Sequence, residues 1–445
     1  MVFRNRSRSV IRPALSSCIS AAKSAKLGPA DVTPTTDLAL DDIQLGELSL
    51  WLRRDREGIF AKLRAERPVS FHAEGEFPGV PKGPGFWALT RYADVVRASM
   101  DAETFVSGHG VNIPDQVPEL NEFFGSMINM DAPRHTKLRK LVSAGFTPRT
   151  INQVEQAVRV QARRIVDAVA PKGACDFVEE VAAALPLRII CDMMGIPEAD
   201  HRRIFELTNL ILGVGDPEYA SSREELMAGA IELFQYAQTL AEERRAHPRD
   251  DITTALVQAE VDGERLTSQE VGSFFILLAA AGNETTRNAI SHGVKALTDF
   301  PAERARWVAD FERIAPAAVE EIVRWASPVI HFRRTAARDV EIGGQRIRAG
   351  DKVVLWYNSA NRDETFWTDP HRFDVTRTPN DHVGFGAGGP HFCLGANLAR
   401  GEIRVMFGEL LRRLPDMHVT GPPDMLQSAF IHGIKRMRVE FTPAR

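Results

Sequence analysis

The longest helical pattern in the chain runs from Thr267 to Leu297. About thirty residues of α-helix span about 45 Å, so this segment would cross an entire domain. Its centre has small residues from Ala279 to Gly282, followed by the acid Glu284 and the alcohol Thr285. Small side chains leave room on one face, where an acid and a hydroxyl could exchange protons. Taken alone, the pattern is better explained by close helix packing, with Thr285 bonded to a carbonyl one turn earlier.

Helical spacing dominates the rest of the chain, and strand-like segments are few. Further helices are predicted at 51–65, 93–100, 133–144, 148–169, 181–195, 201–212, 223–246, 251–260, 302–309 and 314–326. Strands are predicted at 69–71, 86–89, 329–335, 340–343 and 352–356. The fold is therefore predicted to be mainly α with a small β portion.

Composition places the chain among soluble globular proteins. Of its 445 residues, 44% are hydrophobic and 26% are charged, and the net charge of −4 argues against nucleic-acid binding. The longest apolar run, Phe274 to Ala281, is far shorter than the ~20 residues of a membrane span. Four widely spaced cysteines without a CxxC motif argue against a disulfide framework or a zinc site and suit a reducing compartment. A cytoplasmic location is expected.

The first thirty residues differ from the rest of the chain. They contain six Lys or Arg residues and many serines, and no acid precedes Asp31. The composition suits a transit peptide or a disordered extension, and we favour the second interpretation. Residues 1–40 are thus predicted to be a disordered, basic and Ser-rich extension, and residues 41–445 to form the functional domain.

Cys393 follows a glycine-rich stretch, 384–390, and precedes a helical pattern that continues to Leu411. Unpaired N–H groups at a helix start would lower the pKa of its thiol and favour a metal-ligating thiolate. Glycines permit turns with positive φ and a close approach to something large and flat. His391, two residues before the cysteine, could reach an anionic group. A lone cysteine in an apolar stretch is otherwise an inert core residue.

This stretch resembles the haem-binding loop of the cytochrome P450 superfamily, the haem-thiolate monooxygenases. It has one extra residue, because Phe385 lies eight positions before Cys393 instead of the usual seven. The longer form resembles that of a bacterial subgroup that oxidises lipids and sterols. The segment 281–285 likewise resembles the oxygen-activation motif of the family. The resemblance extends from about residue 41 to the C-terminus, and it implies a single cytochrome P450 fold with haem between the long central helix and the Cys loop.

The resemblance implies a role for each candidate site residue. Cys393 would ligate the iron, Thr285 would position O₂ and donate protons, and Glu284 would relay them. Four basic residues would compensate the buried haem propionates. They are His135, Arg139, Arg334 and His391. Each of the four, taken alone, is equally a basic residue on a solvated surface.

A structural network is also implied by the resemblance. Glu321 and Arg324 match the Glu-x-x-Arg pair of the family, with Arg372 as the implied partner. Their network would hold the segment that carries the Cys loop, without a catalytic role.

Several segments resemble the bacterial methyl-branched-lipid omega-hydroxylases and the sterol side-chain hydroxylases. These segments are 190–197, 273–278, 319–328 and 430–435. The implied reaction inserts one oxygen atom of O₂ into an unactivated C–H bond at a chain end. Its substrate would be a methyl-branched fatty acid, an isoprenoid or the side chain of a cholest-4-en-3-one-type sterol. The implied channel walls are 111–128, 207–218, 277–281, 329–330 and 430–431.

The resemblance further implies haem b as cofactor, O₂ as co-substrate and electrons from NAD(P)H. No reductase segment is recognisable, so a separate ferredoxin or flavodoxin with its reductase is expected. Its docking face would contain Lys137, Lys140, Arg400 and Arg404, and the protein is expected to be a monomer. Two alternatives stay open: a peroxygenase that uses hydrogen peroxide and does not need Glu284 and Thr285, and a non-enzymatic haem-based sensor, for which no output domain is visible.

Overall fold

The computed structural model describes residues 34–76, 81–115, 126–143, 148–213, 216–219, 222–261 and 263–444. Residues 1–33 of the predicted N-terminal extension lie outside the described residues. So do residues 116–125 and 214–215 of the predicted channel walls.

Helices form most of the described structure and are numbered here in chain order. They are α1 (Arg56–Glu66), α2 (Tyr92–Met100), α3 (Arg134–Ser143), α4 (Pro148–Val169), α5 (Ala184–Met194), α6 (His201–Leu212), α7 (Arg223–Ala246), α8 (Ile252–Gln258), α9 (Ser268–Asp299), α10 (Pro301–Ala309), α11 (Phe311–Ala326), α12 (Tyr357–Ala360) and α13 (Ala396–Arg413). None of these helices is long and apolar enough to cross a membrane.

The strands are short and lie mostly on one side of the helices. They are β1 (Val69–His72), β2 (Phe86–Leu89), β3 (Phe105–Val106), β4 (Ala174–Asp176), β5 (Glu260–Val261), β6 (Glu264–Arg265), β7 (His331–Ala336), β8 (Val340–Ile342), β9 (Gln345–Ile347), β10 (Lys352–Trp356), β11 (His418–Val419), β12 (Asp424–Met425), β13 (Ile434–Arg436) and β14 (Arg438–Glu440). The largest sheet has the order β1-β2-β10-β7-β3, in which β2 and β10 are parallel and the other pairs antiparallel. A second sheet has the order β11-β14-β4, and three hairpins complete the set.

Helix α9 is the central element. Its 32 residues begin at a capping box, in which the Thr267 hydroxyl accepts a hydrogen bond from the Glu270 N–H and the Glu270 carboxylate accepts one from the Thr267 N–H. The helix packs against α5, α6, α7, α11 and α13. Two glycines permit close approaches, since a Cβ would lie 2.5 Å from the Phe234 ring of α7 at Gly272 and 2.6 Å from the Phe407 ring of α13 at Gly293. Helix α9 is therefore surrounded by other helices, and its side chains contact several of them.

The largest sheet covers a second apolar core. All five residues of β10 are buried, and Trp356 at its end stacks on Trp51 with ring centroids 5.2 Å apart. Phe60 of α1 and Phe86 of β2 complete this aromatic group. The sheet thereby holds Arg334 of β7 at a fixed depth beside the helices.

The structure confirms the predicted fold class of mainly α with a small β portion. Helices α4, α6 and α7 have the predicted bounds. Helices α4 and α6 are strongly amphipathic, whereas α7 begins at an N-cap, Ser222, whose hydroxyl accepts the Glu225 N–H. The helix predicted from residue 51 begins instead at Arg56, after a 3₁₀ turn at Leu48–Leu52. The short strands β3 and β4 were not predicted, because segments of two or three residues show little periodicity, although β8 matches the strand predicted at 340–343.

Candidate active site

An apolar cavity lies between the middle of α9 and the loop that precedes α13. Its empty volume, including the open mouth, is about 1520 Å³. From α9 the lining residues are Phe274, Leu277, Leu278, Ala281, Gly282, Thr285, Thr286 and Ala289. The opposite wall contains the Cys393 loop, and β7 contributes Phe332 and Arg334. The cavity thus lies between two walls, one from α9 and one from the Cys393 loop, and most of the α9 wall is apolar.

The Cys393 loop is closed by its own backbone. The Cys393 N–H donates to the Phe385 carbonyl at 2.9 Å. Gly386, Gly388 and Gly389 all have positive φ, and a Cβ at Gly389 would overlap the Ser99 carbonyl of α2. Residues with side chains would not fit these turns, so the glycines hold Cys393 at the cavity wall.

Cys393 is open to the cavity but lies deep within the protein. Desolvation raises the pKa of its thiol, although the Gly395 N–H and the charges of Arg139 and Arg400 act in the opposite direction. The expectation that the helix start lowers this pKa is therefore wrong in net direction, because burial outweighs the backbone donor. A cation inside the cavity is needed to favour the thiolate. Burial raises the pKa of the two enclosed cysteines, Cys175 and Cys191, to about 12.

The four predicted anchor residues converge on one end of the cavity. His135, Arg139, Arg334 and His391 all line it, and the His135 and His391 rings lie 4.2 Å apart. Burial and the neighbouring cations lower the pKa of both histidines, that of His391 to about 3. These histidines are therefore neutral until an anion joins them.

Thr285 and Glu284 point in different directions from α9. Thr285 lines the cavity and donates its hydroxyl hydrogen bond to the Ala281 carbonyl at 2.8 Å. Glu284 is buried but is not among the lining residues, and its carboxylate pairs with Arg287. Arg287 in turn donates to the Asn209 side chain of α6 at 3.3 Å. Burial raises the pKa of Glu284, although Arg287 opposes this shift.

A second acid, Glu402, was not identified from the sequence. It lies in α13, lines the cavity and is only 2% exposed. Burial raises its pKa to about 8, while a hydrogen bond with Thr286 favours the charged form. The sequence did contain a signal, because Glu402 lies four residues from both Leu398 and Met406 on the apolar stripe of its helix.

Comparison with known proteins identifies the family. Residues 313–441 match the family model described as Cytochrome P450. The chain is also 54% identical over 415 residues to the methyl-branched lipid omega-hydroxylase of Mycobacterium tuberculosis, which covers 92% of this chain and 97% of that protein. The chain belongs to the cytochrome P450 family.

Other P450 relatives agree. The chain is 40% identical over 419 residues to the steroid C26-monooxygenase of Mycolicibacterium smegmatis, covering 92% of this chain and 96% of that protein. The Mycobacterium marinum cytochrome P450 CYP268A2, solved in complex with pseudoionone, is 49% identical with a TM-score of 0.86. That match covers 92% of this chain and 100% of the solved chain. The predicted family, fold and monooxygenase class are confirmed.

The cavity fits the haem of a P450. The buried Nε2 of His135 has no hydrogen-bond partner among the described residues. Arg139 donates to the Phe392 carbonyl at 2.6 Å and Arg334 to the Arg333 carbonyl at 2.9 Å, and no described carboxylate pairs with either. Asp131 favours the charged form of His135, but the Ser107 and Gly108 N–H groups occupy its carboxylate. Two guanidinium groups that pair with no described carboxylate, beside two histidines, suit two propionates.

The predicted Glu-x-x-Arg network is present, but its third member is different. Glu321 and Arg324 are fully buried and joined by two hydrogen bonds of 2.7 and 2.8 Å. Arg377 donates to Glu321 at 3.1 Å, whereas the side chain of Arg372 is half-exposed and lies 3.9 Å from Glu303. The expectation of Arg372 is therefore wrong, and Arg372 contributes only its carbonyl, which accepts from Arg324 and Arg377.

Parts of the predicted channel line the cavity. The wall includes Met127, Ile128, Val329 and, from the predicted 277–281 segment of α9, Leu277, Leu278 and Ala281. The described part of 207–218 does not, and neither do Ile330 and 430–431. Phe430 instead supports the lining residue Phe332, with ring centroids 5.5 Å apart.

Proposed function

We propose that the chain is a haem b monooxygenase that hydroxylates the terminal methyl group of a methyl-branched lipid or of a sterol side chain. The observation that carries this proposal is a cysteine open to an apolar cavity whose lining also includes four basic side chains, none of which pairs with a described carboxylate. The named activities of the relatives at 54% and 40% identity support the choice of substrate class.

The residues present have distinct tasks when haem is bound. The haem supplies the iron at which O₂ is activated, with the Cys393 thiolate as its ligand. The propionates would be held by His135, Arg139, Arg334 and His391. Thr285 is the hydroxyl on the α9 wall that would hold a water and pass a proton from its Oγ1.

Two acids are in place to replenish that proton. Glu284 would reach the cavity by leaving Arg287, or through a water beside its unpaired Oε1. Glu402, with its pKa near 8, is protonated at neutral pH and can donate through the Thr286 hydroxyl. Both routes end at neighbouring threonines on one turn of α9.

The apolar wall accounts for attack at a chain end. Leu277, Leu278, Val329 and Phe332 present only hydrocarbon, so a lipid chain would be desolvated along them. Internal C–H bonds are weaker than those of a terminal methyl group. A wall that admits the chain end first is therefore required for omega-hydroxylation.

P450 chemistry requires an electron donor, and we propose a ferredoxin or flavodoxin with its NAD(P)H-dependent reductase. Two of the predicted docking cations are engaged, since Lys137 pairs with Glu264 and Arg404 with Glu312. Lys140 is exposed on α3. We expect a cytoplasmic location, because the enclosed free thiols of Cys175 and Cys191 suit a reducing compartment. We also expect the protein to be a monomer.

The first test is the absorption spectrum of the reduced protein under carbon monoxide. A thiolate-ligated haem gives a red-shifted Soret band, and Cys393→Ser is expected to abolish both the band and turnover. Cys191→Ser serves as the matched control and should retain them. A wild-type protein without the red-shifted band would refute the proposal.

Substrate class is tested by titrating the ferric protein with branched fatty acids, isoprenoids and sterol ketones. We expect a low-to-high-spin shift with methyl-branched chains, and oxygen at the terminal methyl group in the mass spectrum of the product. Oxygen at internal carbons would contradict the assigned orientation.

The peroxygenase alternative is tested at Thr285. Thr285→Ala should reduce product per NADPH by about tenfold or more, since a positioned proton donor contributes ~10²–10⁴-fold. Thr298→Ala, at a remote position on α9, serves as control. Unchanged coupling together with efficient use of hydrogen peroxide would favour the peroxygenase.

A further inference from the structure

Arg400 was predicted to dock a redox partner, but in the structure it is turned toward the Cys393 loop. Its guanidinium carbon lies 4.5 Å from the centroid of the Phe385 ring. Phe385 lines the cavity, and its carbonyl accepts the Cys393 N–H. One aromatic ring thus separates a cation from the sulfur ligand and its cofactor space.

Glu320 of α11 holds Arg400 in this position. Its carboxylate accepts two hydrogen bonds from Arg400, at 2.6 Å from Nε and 3.0 Å from Nη2. This fork-to-fork geometry fixes the guanidinium plane as well as its charge. Burial opposes ionisation of Glu320, but hydrogen bonds from His382 and Arg400 hold its pKa at about 2.

His382 joins the same carboxylate to the glycine loop. Its Nε2 lies 2.9 Å from Glu320, and its Nδ1 accepts the Gly384 N–H at 3.1 Å. The ring is therefore a tautomer with the proton on Nε2. Its centroid lies 5.6 Å from that of Phe385. Arg400, Glu320 and His382 consequently enclose Phe385 from the side away from the cavity.

We propose that Arg400 and Glu320 are positioning residues that set the reduction potential of the haem iron through the Cys393 loop. The proposal rests on the proposed function, because it requires haem ligated by Cys393. The positive charge of Arg400 favours the state with one more electron, and the negative charge of Glu320 limits that effect. The partial exposure of the pair, 33% and 24%, weakens both contributions without removing them.

The two charges predict opposite shifts. In redox titration of the haem-loaded protein, Arg400→Gln should lower the midpoint potential and Glu320→Gln should raise it. Each shift should be roughly tenfold in the reduction equilibrium, which is about 59 mV for one electron. The double variant should lie between them. Arg400→Lys keeps the charge and should remain nearer to wild type than Arg400→Gln.

Arg404→Gln is the matched control, one helical turn further along α13, where the side chain pairs with Glu312 on the surface. It should leave the potential unchanged. Shifts of the same sign in Arg400→Gln and Glu320→Gln would show that the pair only maintains loop order and would overturn the proposal. A changed KM for ferredoxin with an unchanged potential would assign Arg400 to docking and would also overturn it. Failure of the proposed function is distinguishable, since the wild-type carbon monoxide spectrum would then lack its red-shifted band.

Discussion

Two buried Glu–Arg pairs, each three residues apart on a helix, differ in how fully their polar atoms are satisfied. Glu321 and Arg324 are completely enclosed, and all three guanidinium nitrogens donate hydrogen bonds. Glu284 and Arg287 are nearly as buried, yet Glu284 Oε1 and Arg287 Nε have no partner among the described residues. The Asn288 amide favours ionised Glu284 without reaching hydrogen-bond geometry.

This difference suits the Glu321–Arg324 pair to a structural role and leaves the Glu284–Arg287 pair able to change its hydrogen bonds. A fully bonded pair can move only by breaking several hydrogen bonds at once, so it maintains the framework around the Cys393 loop. A pair with unpaired atoms can exchange a proton or take up a water without such a loss. Glu284 lies next to Thr285 on the cavity wall, where that capacity is useful. Burial alone therefore does not distinguish the two roles, whereas hydrogen-bond satisfaction does.

The largest expected effect is a loss of stability when the fully hydrogen-bonded Glu321–Arg324 pair is broken. Arg324→Met leaves Glu321 as a buried charge without its main partner, which costs about 3–5 kcal/mol. Urea unfolding of the haem-loaded protein measures this loss. Arg404→Met, at the half-exposed pair with Glu312, is the control and should change stability by no more than about 1 kcal/mol. Equal losses in the two variants would show that the enclosed network has no special role.

A substitution at Glu284 should destabilise the protein less than one at Arg324 and should reduce catalytic coupling more. In Glu284→Gln the amide can still accept from Arg287, so the expected loss is about 1–3 kcal/mol. Product per NADPH should fall by about tenfold or more, because the relay loses its titratable oxygen. The paired measurements are urea unfolding and the ratio of product formed to NADPH consumed. A normal ratio would remove Glu284 from the relay.

Glu402 sharpens the comparison, since no described cation pairs with it. Its folded pKa of about 8 exceeds the ordinary value of 4.5, so the folded state binds the extra proton. Its contribution to stability is complete below about pH 4.5 and is lost as pH rises toward 8, with a slope approaching ~1.4 kcal/mol per pH unit. Unfolding at pH 5.5, 6.5 and 7.5 should show this slope in wild type and a smaller one in Glu402→Gln. Parallel curves would place the pKa of Glu402 near its ordinary value.

The sequence predicted those features that depend on local pattern. The bounds of α4 and α6 follow from their apolar stripes and the start of α7 from its Ser222 cap, and the fold class follows from the excess of helical spacing. Cys393 and its glycines were recognisable from their resemblance to the haem-binding loop of the cytochrome P450 family, in which glycines permit a close backbone approach. The four anchor residues came from the family resemblance, and the cavity brings them together.

Features that depend on neighbours distant in the chain were not predictable in the same way. Spacing alone does not say that Glu284 turns toward Arg287, or that Arg377 replaces Arg372 beside Glu321. The net pKa of Cys393 likewise depends on desolvation by elements far along the chain. Each outcome is decided by tertiary packing, which competes with local preference and prevails here.

The accessibility of Cys393 also allows the fraction of protein that contains haem to be measured by chemical labelling. Its sulfur faces an open chamber, whereas Cys175 and Cys191 are shut inside the core. A small alkylating reagent should therefore modify the native protein at Cys393 only in molecules whose sulfur carries no iron. The labelled fraction of that peptide in a mass spectrum would then count apoprotein directly, without any reliance on colour.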